Sequence, residues 1–386
     1  MSSPATSCPE AYDLAVVALS ARALAVSARR GGLKALAVDL FADSDTREHA
    51  EKAVRAPSSG MGFSRRGLLT ALTRHAPAGL PVVLGSGLEH DPELIAAINQ
   101  RNPILGASAA IVSRLKDPFA FASLLADIGA SHPEVARPLD SPTGDWLSKR
   151  IGGSGGAHIR RGRRSRGNRR YLQRRTAGEP LSALFLADGK QSRIIGFSAQ
   201  WTDPAPSAPF RYGGAVGPIE VPAALSKTVS AALDGIIERT GLTGLASADM
   251  LRAPDGGVVL LEINPRPGAT LDVFDRSPAP SLLGLHLDAC AGRLPETVAL
   301  PSTAQAAAVI YAARPVAAAL LQRPLWTADW PACEETIPAG APVCTILAAG
   351  ADPTAARALL EERRAAFLEQ LRAAATGPSQ TTMVHA

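Results

Sequence analysis

Residues 245–272, LASADMLRAPDGGVVLLEINPRPGATLD, read as two alternating apolar runs on either side of Asp255-Gly256, a dipeptide that favours the tight turn of a hairpin. Centring the turn there sets Asp249 across from Glu262, and the period-two alternation of strands brings Ser247 and Asn264 to the same face. Pro254 widens the turn without moving its centre. The opposite face is expected to pack on a core, because it carries Ala246, Ala248 and Met250 on one strand and Val259, Leu261 and Ile263 on the other. Two carboxylates facing each other at roughly 5 Å repel unless a cation lies between them. Their oxygens and that of Asn264 suit a hard ion such as Mg²⁺ (or Mn²⁺), and Mg²⁺ usually binds through one or two carboxylates together with nucleotide phosphates. The competing reading is a solvated strand face whose acids keep an edge soluble, and the Asn264 and Arg266 that follow on the same side weigh against it.

Outward from that hairpin, the 386 residues suffice for two or three domains, and 46% hydrophobic with 19% charged residues fits a folded globular protein. Cys8, Cys290, Cys333 and Cys344 show no metal-ligand spacing, which fits a reduced, cytoplasmic setting. The N-terminus lacks the basic start and apolar run of an export signal, and the apolar stretch near 304–321 is broken by Arg314-Pro315, so no membrane span is expected. The formal charge of +5 is local in origin: nine arginines and no acid lie between Arg160 and Arg175. Three readings of this block stay open, namely a solvated mobile loop, attraction of an anionic small molecule, and nucleic-acid binding. With only Tyr171 interleaved, a stacking platform for single strands is not supported, and nucleic acid is the least favoured partner.

The first hundred residues alternate strands and helices: a strand over 12–19, a helix over 21–30 ended by Gly31-Gly32, a strand over 33–40 ending in Asp39, and a strand over 81–84. Asp91 is the expected cap of a further helix. This is an open βαβ sheet without a GxGxxG after its first strand, so no dinucleotide is expected, and Gly85-Ser86-Gly87 lies where such sheets bind ligands or simply turn. A helix over 119–128 follows Asp117-Pro118. WLSKRIGGSGGAHI then reads as a strand feeding a glycine loop, in which Gly152, Gly153, Ser154, Gly155 and Gly156 can turn N–H groups toward phosphate while Lys149 adds a fixed charge; a flexible linker would look similar. Asp188-Gly189 centres a second hairpin, short strands are expected near 308–311 and 343–348, and an amphipathic helix closes the chain from Pro353 to about residue 373. His90 and His286 stand alone and are expected in surface or core roles.

Lys149 with its glycine loop, the stretch Tyr171-Leu172-Gln173-Arg174 before Gly178-Glu179, Asp249, and Glu262-Ile-Asn264-Pro-Arg266 together resemble the ATP-grasp superfamily over roughly 107–290, in its carboxylate–amine ligase branch. The resemblance implies an α/β (α+β) ATP-grasp architecture: an N-terminal open βαβ domain over 1–106, an ATP-grasp domain with a glycine-rich lid over 107–292, and a small C-terminal α+β domain over 293–386. It further implies ATP and Mg²⁺ as ligands, with Asp249, Glu262 and Asn264 on the metal, Lys149 on the α- and β-phosphates, and residues 152–156 closing over the triphosphate. Gln173, Arg174 and Arg175 would form the hinge that reads adenine, Glu179 would accept ribose hydroxyls, and Arg266 would stabilise the transferred phosphoryl group or acyl phosphate.

One departure stands out: many relatives have lysine where Pro118 stands, while Lys116 lies two residues earlier, so either Lys116 makes that nucleotide contact or it is missing. The activity implied is ADP-forming ligation of a carboxylate to an amine, with anionic small-molecule substrates, and a likeness to glutamate-adding ligases of methanofuran-type one-carbon cofactor synthesis. The alternatives are a biotin-carboxylase-like enzyme activating bicarbonate and a non-catalytic anion- or nucleic-acid-binding protein. A homodimer is compatible with any of them.

Overall fold

The computed structural model describes residues 11–59, 62–140, 142–162 and 169–375. Four parallel strands open the chain, in the order Lys52–Arg55, Ala35–Asp39, Leu14–Val17, Val82–Leu84. Leu14–Val17 and Ala35–Asp39 are buried along their whole length, as the continuous apolar runs of a sheet covered on both faces must be. Helix Arg22–Arg30 ends at Gly31, and Asp91 caps Pro92–Arg101 by accepting from the Leu94 N–H at 3.1 Å. Arg22 ties this layer to the rest of the molecule: its guanidinium is buried and pairs with Asp272 and with Asp329, the latter at 2.9 Å.

The main sheet has eight strands, in the order Val258–Asn264, Thr243–Arg252, Glu179–Asp188, Ser192–Thr202, Tyr212–Ile219, Ala304–Tyr311, Pro342–Gly350, Thr327–Ala328. Its C-terminal strands therefore continue the sheet begun by the acidic hairpin, through the pairing of Gly214 with Ala308. Helix Pro353–Ala375 packs Leu360 and Phe367 on that end. Helix Ala223–Thr240, which is not among the expected elements, buries Leu225, Val229, Leu233, Ile236 and Ile237 against the other end. A separate antiparallel sheet, in the order Val135–Ala136, Arg170–Arg174, Trp146–Arg150, Arg160–Arg161, carries the glycine loop. Residues 163–168, in the middle of the arginine block, lie outside the described residues.

The hairpin register is the expected one, with Asp249 opposite Glu262 and Ser247 opposite Asn264. Beyond that pair the expectation fails. A bulge between Asp249 and Met250 shifts the register by one, so Met250 faces Leu260. Leu260 rather than Val259 or Leu261 therefore enters the core, and Leu261 turns to the same side as Glu262.

Candidate active site

Asp249 is reached from three strands. Strand Glu179–Asp188 sets Ser182 beside it, and the Ser182 hydroxyl donates to Asp249 Oδ1 at 2.8 Å. Gln200 Nε2 donates to the same oxygen at 3.3 Å, and Asn264 Nδ2 donates to Oδ2 at 2.8 Å. Across the hairpin, Glu262 Oε2 and Asn264 Oδ1 converge on one cation, the Lys116 ammonium, at 3.1 and 2.8 Å. Burial and then the Glu262 charge raise the Asp249 carboxyl above its ordinary range. For Glu262, enclosure acts in the same direction, but Lys116 and Lys149 outweigh it and hold the carboxyl below its ordinary range. The pair thus shares its negative charge unequally, as closely spaced acids do.

Lys116 is the last residue of helix Ala109–Lys116, and Asp117 both ends that helix and caps the next, accepting from Phe119 N and Ala120 N at 2.9 Å. Pro118 suits the first position of the second helix, where no N–H is needed. Lys116 reaches the cavity from the end of the preceding helix.

That cavity, of about 390 Å³, is walled by Lys116 and Lys149, the glycine loop 152–156, Gln173, the acidic cluster and Arg266. Lys149 is pushed below its ordinary range by burial, with the charges of Glu262 and Asp249 opposing. Gly152, Gly155 and Gly156 adopt φ of +68°, +67° and +69°, a region glycine enters freely. A Cβ on Gly156 would collide with the Phe210 carbonyl oxygen, so the loop lies tight on its neighbour there. Arg266 is not free: its Nε donates to Glu89 Oε1 at 2.7 Å, with side chains 12% and 4% exposed. Burial would raise Glu89, but Arg266 and Lys116 hold its carboxyl at about 2. Gly87 N–H donates to its other oxygen at 2.7 Å, so the 85–87 turn at the end of a strand does reach the site, and Ser86 lines the cavity.

Three expected nucleotide contacts lie elsewhere. Arg174 stacks on Trp146 at 4.8 Å and pairs with Glu134 at 2.7 Å. Arg175 pairs with Asp145 at 3.0 Å, and the N–H groups of both residues are taken by the Glu134 and Asp145 carbonyls. Glu179 is 67% exposed and pairs with Arg252. None of the three lines the cavity; of the hinge, Gln173 alone does. The sequence reading missed Glu89, Ser182, Gln200 and His132, which arrive from other elements. His286 is a core residue, accepting from Leu245 N at 2.8 Å and facing the Leu105 carbonyl at 3.0 Å.

The donor set fits a hard divalent ion. Among the described residues no group of three or more His, Cys, Asp or Glu side chains converges, so an all-protein cage is absent. Two carboxylates and an amide oxygen beside a basic, glycine-walled cavity are what Mg²⁺ uses when phosphates complete its shell. The Lys116 ammonium stands where that positive charge would be needed.

Residues 116–270 match the family described as the ATP-grasp domain, and this stretch is one. Solved structures agree with the fold over about nine-tenths of the chain. It superposes on a pyruvate carboxylase of Rhizobium etli with a TM-score of 0.69 at 14% identity, over 91% of this chain and 37% of that one. A Thermotoga maritima phosphoribosylamine–glycine ligase gives 0.68 at 15% identity, over 90% and 95% of the two chains. A Campylobacter jejuni biotin carboxylase in complex with a β,γ-ATP compound gives 0.66 at 13% identity, over 91% and 90%. No curated protein sequence matches the chain.

Proposed function

We propose that the protein is an ATP-dependent, ADP-forming ligase that joins a carboxylate to an amine. The observation that carries this reading is the convergence of Glu262 Oε2 and Asn264 Oδ1 on a single cation, with Asp249 across the hairpin, in a cavity that the glycine loop lines. Asp249, Glu262 and Asn264 would hold Mg²⁺ (or Mn²⁺), whose charge favours phosphoryl transfer when bound. Lys149 and Lys116 offset negative charge on the nucleotide, and the loop 152–156 keeps water from the product. A substrate carboxylate oxygen attacks the γ-phosphorus, the bond to the β-phosphate oxygen breaks, and ADP leaves with the electron pair. The amine then attacks the acyl carbon, phosphate departs, and the nitrogen loses a proton. Arg266, oriented by Glu89, faces the cavity where the acyl phosphate forms.

Room for an acceptor is supplied by a second cavity of about 540 Å³, which shares Leu19 and Ser86 with the first. Arg160, Arg161 and Arg170 on the sheet that carries the glycine loop favour an anionic substrate, and glutamate addition in a methanofuran-type cofactor pathway is the finer form of the proposal. Among the described residues no helix is long and apolar enough to cross a membrane, and a cytoplasmic, homodimeric enzyme is the setting proposed. Bicarbonate activation is the second reading, favoured by the likeness to the two carboxylases. A phosphate-release screen of carboxylic acids with and without amines separates the two. Turnover that requires both a carboxylate and an amine supports the ligase, and turnover driven by bicarbonate alone overturns it.

A further inference from the structure

The second cavity, of about 540 Å³, runs along the carboxyl edge of the N-terminal sheet, the edge at which open α/β sheets bind ligands. Strand order fixes its direction. Leu19 and Ser86 follow the adjacent strands Leu14–Val17 and Val82–Leu84 and are shared with the nucleotide cavity, whereas Asp43 follows Ala35–Asp39 and Arg55 ends the outermost strand. The mouth at Ser86 and the carboxylate of Asp43 therefore lie two strand spacings apart, on the order of 10 Å. Between them the wall is apolar, made by Phe41, Val309, Ile337 and Val343.

The far end holds a buried acid without a counter-charge. Asp43 is 3% exposed and lines the cavity; it accepts from Thr46 N and Thr46 Oγ1 at 2.8 and 3.0 Å, which leaves lone pairs of the carboxylate unused. Among the described residues no ion pair reaches it. Asp329, beside it, is paired with Arg22, but that one guanidinium also serves Asp272. Burial and then the Asp329 charge push the Asp43 carboxyl up to about 7, the response of an enclosed acid that lacks a cation. Arg55, the basic residue of the wall, is 59% exposed and tied to Glu335. Ala42 and Asp329, both at this cavity, hold φ of +44° and +56°, a strained backbone of the kind that ligand sites retain.

We propose that this cavity takes an acceptor of the diamine class, with its reacting amine at the Ser86 mouth, an apolar spacer along Phe41 and Val343, and a second ammonium paired with Asp43. The inference rests on the ligase reading, because it takes the mouth as the point where the amine meets the acyl phosphate. A carboxylate at the far end would face Asp43, Asp329 and Glu335, so an amino acid is refused as the acceptor. The anionic substrate drawn by the arginines of the glycine-loop sheet is then the activated acid.

The test is calorimetric titration of the full chain, held in Mg²⁺ and a non-hydrolysable ATP analogue, with 1,7-diaminoheptane, heptylamine and 7-aminoheptanoate, which match in length and differ at the far end. The wild type is expected to bind the diamine about ten- to a hundredfold more tightly than heptylamine, the range of one hydrogen bond to a charged group, and the amino acid more weakly than either. Asp43→Asn keeps an oxygen for the Thr46 N–H and should erase the preference for the diamine over heptylamine, with binding of the ATP analogue as the check that the variant is folded. Equal wild-type affinity for the diamine and heptylamine overturns the assignment, as do tighter binding of 7-aminoheptanoate, failure of all three to bind the nucleotide-loaded protein, and a diamine preference that survives in Asp43→Asn. Each of those results leaves the ligase reading standing. Failure of the ATP analogue itself to bind would instead sink that reading and this inference with it. The wild-type series decides even where the variant does not fold.

Discussion

The acidic hairpin and the segment 173–179 both carry polar residues expected at the nucleotide, yet one delivers its side chains to the cavity and the other largely does not. In the hairpin, Asp249, Glu262 and Asn264 meet because a local turn and a two-residue period determine who faces whom. Along 173–179, the fate of each side chain depends on partners far away in sequence. Glu134 takes Arg174, Asp145 takes Arg175, and Arg252 takes Glu179. Functional geometry built by one hairpin is readable from the chain, whereas geometry decided by competing long-range ion pairs is not.

The comparison is most exposed to failure at the hairpin. Asp249→Asn or Glu262→Gln should lower nucleotide-dependent phosphate release by at least about a hundredfold, the usual cost of removing a group that stabilises transferring charge, with an unchanged circular dichroism spectrum. Unaltered turnover in either variant would mean that the acids are surface decoration. Lys149→Ala is expected to cost on the order of tenfold or more, chiefly as weaker nucleotide binding in a titration.

Glu89 gives a pH-dependent prediction. Its folded carboxyl sits at about 2, against an ordinary value of 4.5, so the stability it contributes is present above pH 4.5 and is lost as pH falls toward 2. Glu89→Gln leaves the Arg266 guanidinium buried without its counter-charge. Denaturation near neutral pH should show a loss of about 3 kcal/mol, and the difference from wild type should shrink in acid. A difference that is constant from pH 7 to pH 3 would contradict the ion pair. The smallest effects belong to the other region: Arg174→Ala and Glu179→Ala each remove an exposed pair of the kind worth about 1 kcal/mol or less, and nucleotide affinity should stay within about threefold. A tenfold loss in either would return these residues to the nucleotide.

Much of the architecture could be read from the chain. The parallel N-terminal strands, the Asp91 cap, the glycine loop after strand Trp146–Arg150 and the closing helix from Pro353 all follow from local pattern. The bulge at Leu261 could not, since a one-residue slip leaves no mark in an unbroken run Val258–Leu261 of aliphatic residues. Nor could the join between Tyr212–Ile219 and Ala304–Tyr311, strands separated by three helices and a hairpin, which makes the C-terminal segment part of the main sheet. Site residues were missed for the same reason. Glu89 enters from the first sheet, Ser182 and Gln200 from neighbouring strands, and His132 through a backbone clamp, all of which require the assembled fold.

Lys116 marks the point where the chemistry is decided, because its ammonium bridges the two oxygens that a divalent ion would need. Crystals grown with Mn²⁺ and a non-hydrolysable ATP analogue, with diffraction recorded at the manganese edge, address this directly. The expected result is an anomalous peak bounded by the oxygens of Asp249, Glu262 and Asn264, with the Lys116 ammonium moved off Glu262. Nucleotide bound with Lys116 still in place and manganese absent from those oxygens would contradict it.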